Sequence, residues 1–168
     1  RFNIDVTEVD IKNAYPRIIY AICGLELPKN FYGLNKVNKR GINTLLNNFF
    51  YRPGGDEKKK QRYDAIRKFK KYGFAPEVSK YLIDNYFESN HRSIIFDIIS
   101  HYENDIISEV LELGKDWEND GMIRRHDSVL IFNNKSDISE LENYEFLDQK
   151  GWFNGRFSLS GVVPRKEN

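Results

Sequence analysis

Apolar and polar positions alternate at the start of the chain. Phe2, Ile4 and Val6, then Val9 and Ile11, keep a period of two that predicts a strand over 2–11 with a break near Thr7. The period changes at Tyr15. Ile18, Ile19, Ile22 and Cys23 fall at helical spacing, Pro16 suits a first helical turn because it has no N–H, and Gly24 supplies a stop. Residues 25–38, with Pro28 and Gly33, read as a loop. Ile42, Leu45, Leu46, Phe49 and Phe50 share one face of a helix predicted over 39–51, with Arg40, Asn43, Asn47 and Tyr51 displaced from it. Arg52-Pro53-Gly54-Gly55 ends that element.

Further along, 76–87 reads as a short helix with Val78, Leu82, Ile83 and Tyr86 inward. The longest stripe is Ile95, Ile98, Ile99, Tyr102, Ile106, Val110 and Leu113, which predicts a helix over about 92–113 with Glu103, Asp105, Glu109 and Glu112 turned away. Residues 121–132 place two apolar arms around Arg124-Arg125-His126-Asp127, a hairpin with both arms buried and Asp127 at or just after its tip. Four polar residues are more than such a bend requires. A helix is expected around 138–147, and Asn154-Gly155 marks a closing hairpin over 152–157. Together these predict an α+β chain, a small antiparallel sheet backed by helices, with no internal repeat and no clear domain boundary.

With 168 residues the chain suits one domain with its own core, or a piece of a larger protein. Its first residue is Arg1, so a fragment or a processed product is expected. A net charge of +1 excludes global basicity, so any nucleic-acid signal has to be local. One concentrated basic stretch exists: Lys58-Lys59-Lys60-Gln61-Arg62, continued by Arg67, Lys68, Lys70 and Lys71, with Tyr63, Phe69 and Tyr72 interleaved. It reads either as a track for a phosphate backbone or as a solvated helix face. The single cysteine, Cys23, rules out an intrachain disulfide and a Cys-rich zinc site, and reads as a small core residue. No apolar run reaches membrane length and no signal peptide is present, so no membrane partner and a cytoplasmic location are expected. The abundance of Asn, Lys, Ile, Phe and Tyr points to an AT-rich genome.

The candidate chemistry lies in two carboxylates where β elements meet turns. Asp10 ends the first strand and Asp127 sits at the hairpin, 127 − 10 = 117 residues apart. Two-metal phosphoryl transfer needs carboxylates from separate strands to converge so that divalent ions lie roughly 3.5–4 Å apart. Mg²⁺ suits such a site because it accepts a few carboxylates and keeps waters and substrate phosphates. Glu8 shares a strand face with Asp10 and reads as a third carboxylate or, more plainly, as a solvated edge residue. Tyr15 sets a flat ring near Asp10.

Asp10-Ile-Lys-Asn-Ala-Tyr15-Pro16 resembles the Asp-x-x-x-x-Tyr-Pro pattern of motif A in family B DNA polymerases. Asn47-Asn48-Phe49-Phe50-Tyr51 is similar to an altered motif B, with Asn43 in the usual lysine place and Lys39 or Arg40 a turn further back. His126-Asp127-Ser128 resembles motif C, mixing a family B Asp-Ser tail with the His-Asp of family A and of single-subunit phage RNA polymerases. Arg125 stands where family B has its first motif C carboxylate.

The resemblance implies a polymerase palm with a fingers-like helical insertion over about 35–75, part of a larger protein or complex. It implies Asp10 and Asp127 as catalytic ligands of Mg²⁺ or Mn²⁺, with the Ile11 carbonyl completing the coordination. It further implies Tyr15 under the incoming sugar, and Lys39, Arg40 and Asn47 at the nucleotide. Arg124, Arg125 and His126, with Lys58, Lys59, Lys60 and Arg62, would meet nucleic acid. The implied partners are a DNA primer-template, dNTPs and further polymerase subunits, and the implied role is DNA replication by a phage or plasmid enzyme in a bacterial host. An RNA-synthesising palm and a catalytically degenerate, nucleic-acid-binding palm are the alternatives. Each residue also has a plainer reading: Tyr15 as packing at a helix start, Lys39 and Arg40 as surface cations, His126 and Asp127 as turn residues.

Overall fold

A computed structural model describes residues 5–33, 36–50, 58–88, 93–139, 141 and 147–152, with the backbone alone at 36–37, 49–50, 58–60 and 147–152. The elements run β1 (Val6–Ile11), α1 (Ala14–Ile22), α2 (Lys36–Phe50), α3 (Lys58–Lys71), α4 (Pro76–Glu88), α5 (Ile94–Gly114), β2 (Gly121–Arg124), β3 (Ser128–Phe132) and β4 (Leu147–Trp152). The chain is α+β. It divides into two compact units, Arg1–Ala14 with Glu103–Asn168, and Tyr15–Tyr102.

The first unit holds an antiparallel sheet in the order β2-β3-β1-β4. Strand β1 is therefore central and unbroken at Thr7, with Val9 opposite Val129 on β3 and opposite Gln149 on β4. Opposed residues share a face and successive residues alternate. Val9, Ile11, Val129 and Ile131 thus line one face, where they cluster with Ile107 and Val110 of α5 and with Trp117, Ile138 and Leu141. On the other face Val6, Glu8 and Leu130 are also buried. Both faces of β1 and β3 being buried explains why β3 reads as a continuous apolar run, Ser128-Val-Leu-Ile-Phe132.

Several expectations need correcting. Only the β3 arm of the hairpin is buried; β2 is an edge strand and its Ile123 is half exposed. On α5 the buried line is Ile95, Ile99, Glu103, Ile107 and Val110, so Ile107 replaces Ile106, Tyr102 is exposed, and Glu103 faces in. Of the predicted helix around 138–147, the described residues show a turn in which the Leu141 N–H donates to the Ile138 carbonyl at 3.0 Å, while Leu147 belongs to β4; residues 142–146 lie outside the described residues. At Leu147 the ladder to β1, whose residues lie more than a hundred positions away, decides for strand. Cys23 lies just after α1 and is half-buried rather than core. Of the expected hairpin over 152–157 only Trp152 is described, as the last residue of β4; its Asn154-Gly155 turn and the Arg52–Gly55 stop lie outside the described residues.

The second unit is helical, and α4 buries the predicted set, Val78, Leu82, Ile83 and Tyr86. Aromatic rings fill its interior: Phe31 meets Tyr20 at 5.5 Å and Phe74 at 5.0 Å, and Phe74 meets Phe69 at 4.9 Å, all edge-on. The Tyr20 hydroxyl accepts the Ala75 N–H at 3.0 Å, tying α1 to the start of α4. No helix among the described residues is long and apolar enough to cross a membrane.

Candidate active site

The rim of the sheet where β1 ends and the β2–β3 hairpin turns is built by a tight backbone path. Ile11 ends β1, Asn13 takes a left-handed φ of 52°, and Ala14 opens α1 with Pro16 in its first turn. Asparagine tolerates that conformation better than most residues, which allows so abrupt a strand-to-helix change. Across the ladder, Asp10 stands opposite Ser128, and the Ile11 N–H donates to the Asp127 carbonyl at 3.3 Å. The Arg125 N–H donates to the Ser128 carbonyl at 2.8 Å, which leaves only His126 and Asp127 at the bend. The turn is thus two residues long, because Arg124 pairs with Val129 in the ladder and Arg125 bonds across to Ser128.

Two acids 117 residues apart in sequence are therefore brought to one end of the ladder, Asp10 half-buried opposite Ser128 and Asp127 exposed in the bend just before Ser128. A third acidic position, Asp148, lies directly across from Asp10 on β4. The sequence pattern does not show it, because the alternation Leu147, Gln149, Gly151 carries little strand signal.

Glu8 is neither solvated nor at an edge. It accepts the Ser128 hydroxyl at 3.0 Å, and Arg125 approaches its carboxylate at 3.7 Å. Arg125, in the position the resemblance reserves for an acid, thus neutralises one. On α5, Glu103 is only 2 % exposed and takes the His126 Nδ1 at 2.9 Å. Burial pushes its carboxyl pKa up; His126 pulls it down, Asp127 adds to the rise and Arg124 opposes it. Its second oxygen is buried and has no hydrogen-bond partner among the described residues. Arg124 in turn donates to Asn104 on the same helix. The hairpin tip is thus fastened to α5 by two side chains, Arg124, which the sequence offered as a nucleic-acid contact, and His126, which it offered as such a contact or as a turn residue. The sequence signal for an inward Glu103 is its spacing, four residues after Ile99 and four before Ile107.

Among the described residues no group of three or more His, Cys, Asp and Glu side chains is placed to hold a metal ion. Asp10 and Asp127 remain as carboxylate donors, which suits Mg²⁺ in kind, since that ion takes one or two carboxylates and fills its shell with water and phosphate oxygens.

The other candidates lie in the Tyr15–Tyr102 unit. Tyr15 is half-buried, and Lys39, Arg40 and Asn47 are exposed on α2. The Lys39 ammonium sits over the Tyr32 ring at 5.4 Å, and the Tyr32 hydroxyl donates to Asn43 at 3.1 Å. Burial pushes the Tyr32 pKa up to about 12, which keeps it a donor. The Arg40 carbonyl accepts the Thr44 hydroxyl at 2.9 Å. Lys58, Lys59, Lys60 and Arg62 are all on α3, and Arg62 is bonded to Asp84 of α4 at 2.8 Å. No protein-family model, curated protein or solved structure matches the chain.

Proposed function

We propose that this chain is the palm of a template-directed nucleotidyltransferase, a DNA polymerase extending a primer 3′-hydroxyl with deoxynucleotides. The observation that carries the reading is the ladder between β1 and β3, which sets Asp10 beside the turn bearing Asp127. In the reaction the 3′-oxygen bonds to the α-phosphorus as the bond to the bridging oxygen breaks. Pyrophosphate leaves, and the hydroxyl proton passes to solvent. Asp10 and Asp127 would hold Mg²⁺ or Mn²⁺, which when bound polarises the phosphoryl oxygens and offsets the developing charge. Under this reading Tyr15, five residues after Asp10, discriminates against a 2′-hydroxyl, while Lys39, Arg40 and Asn47 serve the triphosphate. Larger partner domains would grip the duplex.

Primer extension with Mg²⁺ or Mn²⁺ tests the proposal. Asp10→Asn and Asp127→Asn are each expected to remove several kcal/mol of transition-state stabilisation, on the order of a hundredfold or more in rate. Extension that survives in Asp127→Asn refutes the assignment. Equal use of ribo- and deoxynucleotides by Tyr15→Ala, against deoxynucleotide preference in the parent, would place the discrimination at Tyr15.

The contact of Arg125 with Glu8 favours a second reading, a palm that binds nucleic acid without turnover. A cation occupies an acid's place there, and one nearby carboxylate is engaged with it. Undetectable extension by the parent chain, with nucleic-acid binding unchanged in Asp10→Ala, selects that reading.

A further inference from the structure

The face formed by α3 and α4 carries features that no part of the carboxylate site requires. Helix α3 has eight cations, Lys58, Lys59, Lys60, Arg62, Arg67, Lys68, Lys70 and Lys71, against one acid, Asp64, or 8 − 1 = 7 net positive charges in 14 residues. On that helix Tyr63, Ile66, Arg67 and Lys70 fall at i, i+3, i+4 and i+7, one continuous stripe, and all four are exposed. Tyr63 is 74 % and Ile66 48 % exposed, two of the four large apolar side chains that reach solvent among the described residues.

The stripe borders an apolar cleft of about 440 Å³, lined by Arg62, Ile66, Lys70, Phe74, Ser79 and Ile83. Asp84 at its edge is shared by Arg62 and Lys80, which leaves Lys70 without an ion pair among the described residues. Arg67 touches only Asp64, at 3.7 Å and largely in water, a contact worth little.

We propose that this face binds single-stranded DNA, with a base stacked on Tyr63, a neighbouring base in the cleft between α3 and α4, and phosphates along Arg67 and Lys70. Charge selects a polyanion. The exposed ring beside an apolar cleft selects one that offers flat apolar groups at short intervals, as an unpaired strand does and an acidic peptide does not. A duplex keeps its bases stacked and offers this stripe only its phosphates. The choice of DNA over RNA rests on the proposed polymerase reading; the surface itself does not, since its residues all lie in the Tyr15–Tyr102 unit.

Fluorescence anisotropy of a labelled oligodeoxythymidylate with the full chain, without divalent cation or nucleotide, tests this. Tyr63→Ala is expected to weaken binding by about five- to a hundredfold. Lys70→Ala is expected to lower the slope of log affinity against log salt by about 0.7. Circular dichroism of both variants should match the parent, since neither side chain is buried. Binding retained in Asp127→Asn, where extension is lost, supports the face as independent of the carboxylates. Parent-like affinity in Tyr63→Ala overturns the proposal, as does equal displacement of the oligonucleotide by polyglutamate or equal affinity for a duplex. Tighter binding of oligouridylate overturns the assignment to DNA.

Discussion

A carboxyl group taken out of water on an apolar helix stripe must be neutral, paired or both. Glu103 shows what each option costs. Desolvation raises its pKa above the ordinary 4.5, so the native state keeps a proton that the unfolded chain releases. The sign follows: this group's contribution is fully present below the ordinary carboxyl pKa and is lost as pH climbs through the raised one. Glu103→Gln retains an oxygen to accept the His126 Nδ1–H and cannot ionise. We expect it to flatten the dependence of stability on pH above the ordinary value, and to raise the urea midpoint at pH 7, as denaturation at a series of pH values would record. The sequence showed Glu103 only as one acid among five on α5; its spacing from Ile99 and Ile107 held the information, but a charge argued for the solvent side. Glu8 was misplaced for a similar reason, because whether β1 is central or at an edge depends on β4.

Elements were legible where one face decides them. The inward residues of α4 follow from periodicity because a surface helix has a single apolar stripe, and the stop of α1 follows from Gly24, at a φ of 70°. The phase of α5 was not so legible. Ile94, Ile95, Ile98, Ile99, Ile106 and Ile107 come as adjacent pairs, and only the position of β1 and β3 selects Ile107 over Ile106. Ile107 is fully buried against that sheet face, so Ile107→Ala should destabilise the protein by about 2–5 kcal/mol. Glu109→Ala, exposed on the same helix, should stay within about 0.5 kcal/mol. Chemical denaturation of the two variants separates these outcomes. Strand β4 lay beyond local reading altogether, since its residues are strand because β1 offers them a ladder.

At the scale of the whole chain, the Tyr15–Tyr102 unit is one continuous stretch, whereas the sheet unit is assembled from both ends of the sequence. A continuous segment with its own interior, centred on Tyr20, Phe69, Leu82 and Ile99, should fold by itself. A fragment of residues 15–102 is expected to give a helical circular dichroism spectrum and a cooperative thermal transition; a spectrum without helix would refute its autonomy. Sequence by itself determined α1, α2, α4 and α5, the position of β1, the hairpin with Asp127 at its bend and the two acids as the pair to watch. Those are local matters of period, turn chemistry and residue type. Only the tertiary structure decided that β1 is central, that Asp10 meets Ser128 and the Asp148 position, that Arg125 faces Glu8 and that Glu103 holds His126. Each of these is a pairing between residues tens to more than a hundred positions apart. Such pairings are fixed by sheet register and by which faces are buried together, and no short window of sequence contains either.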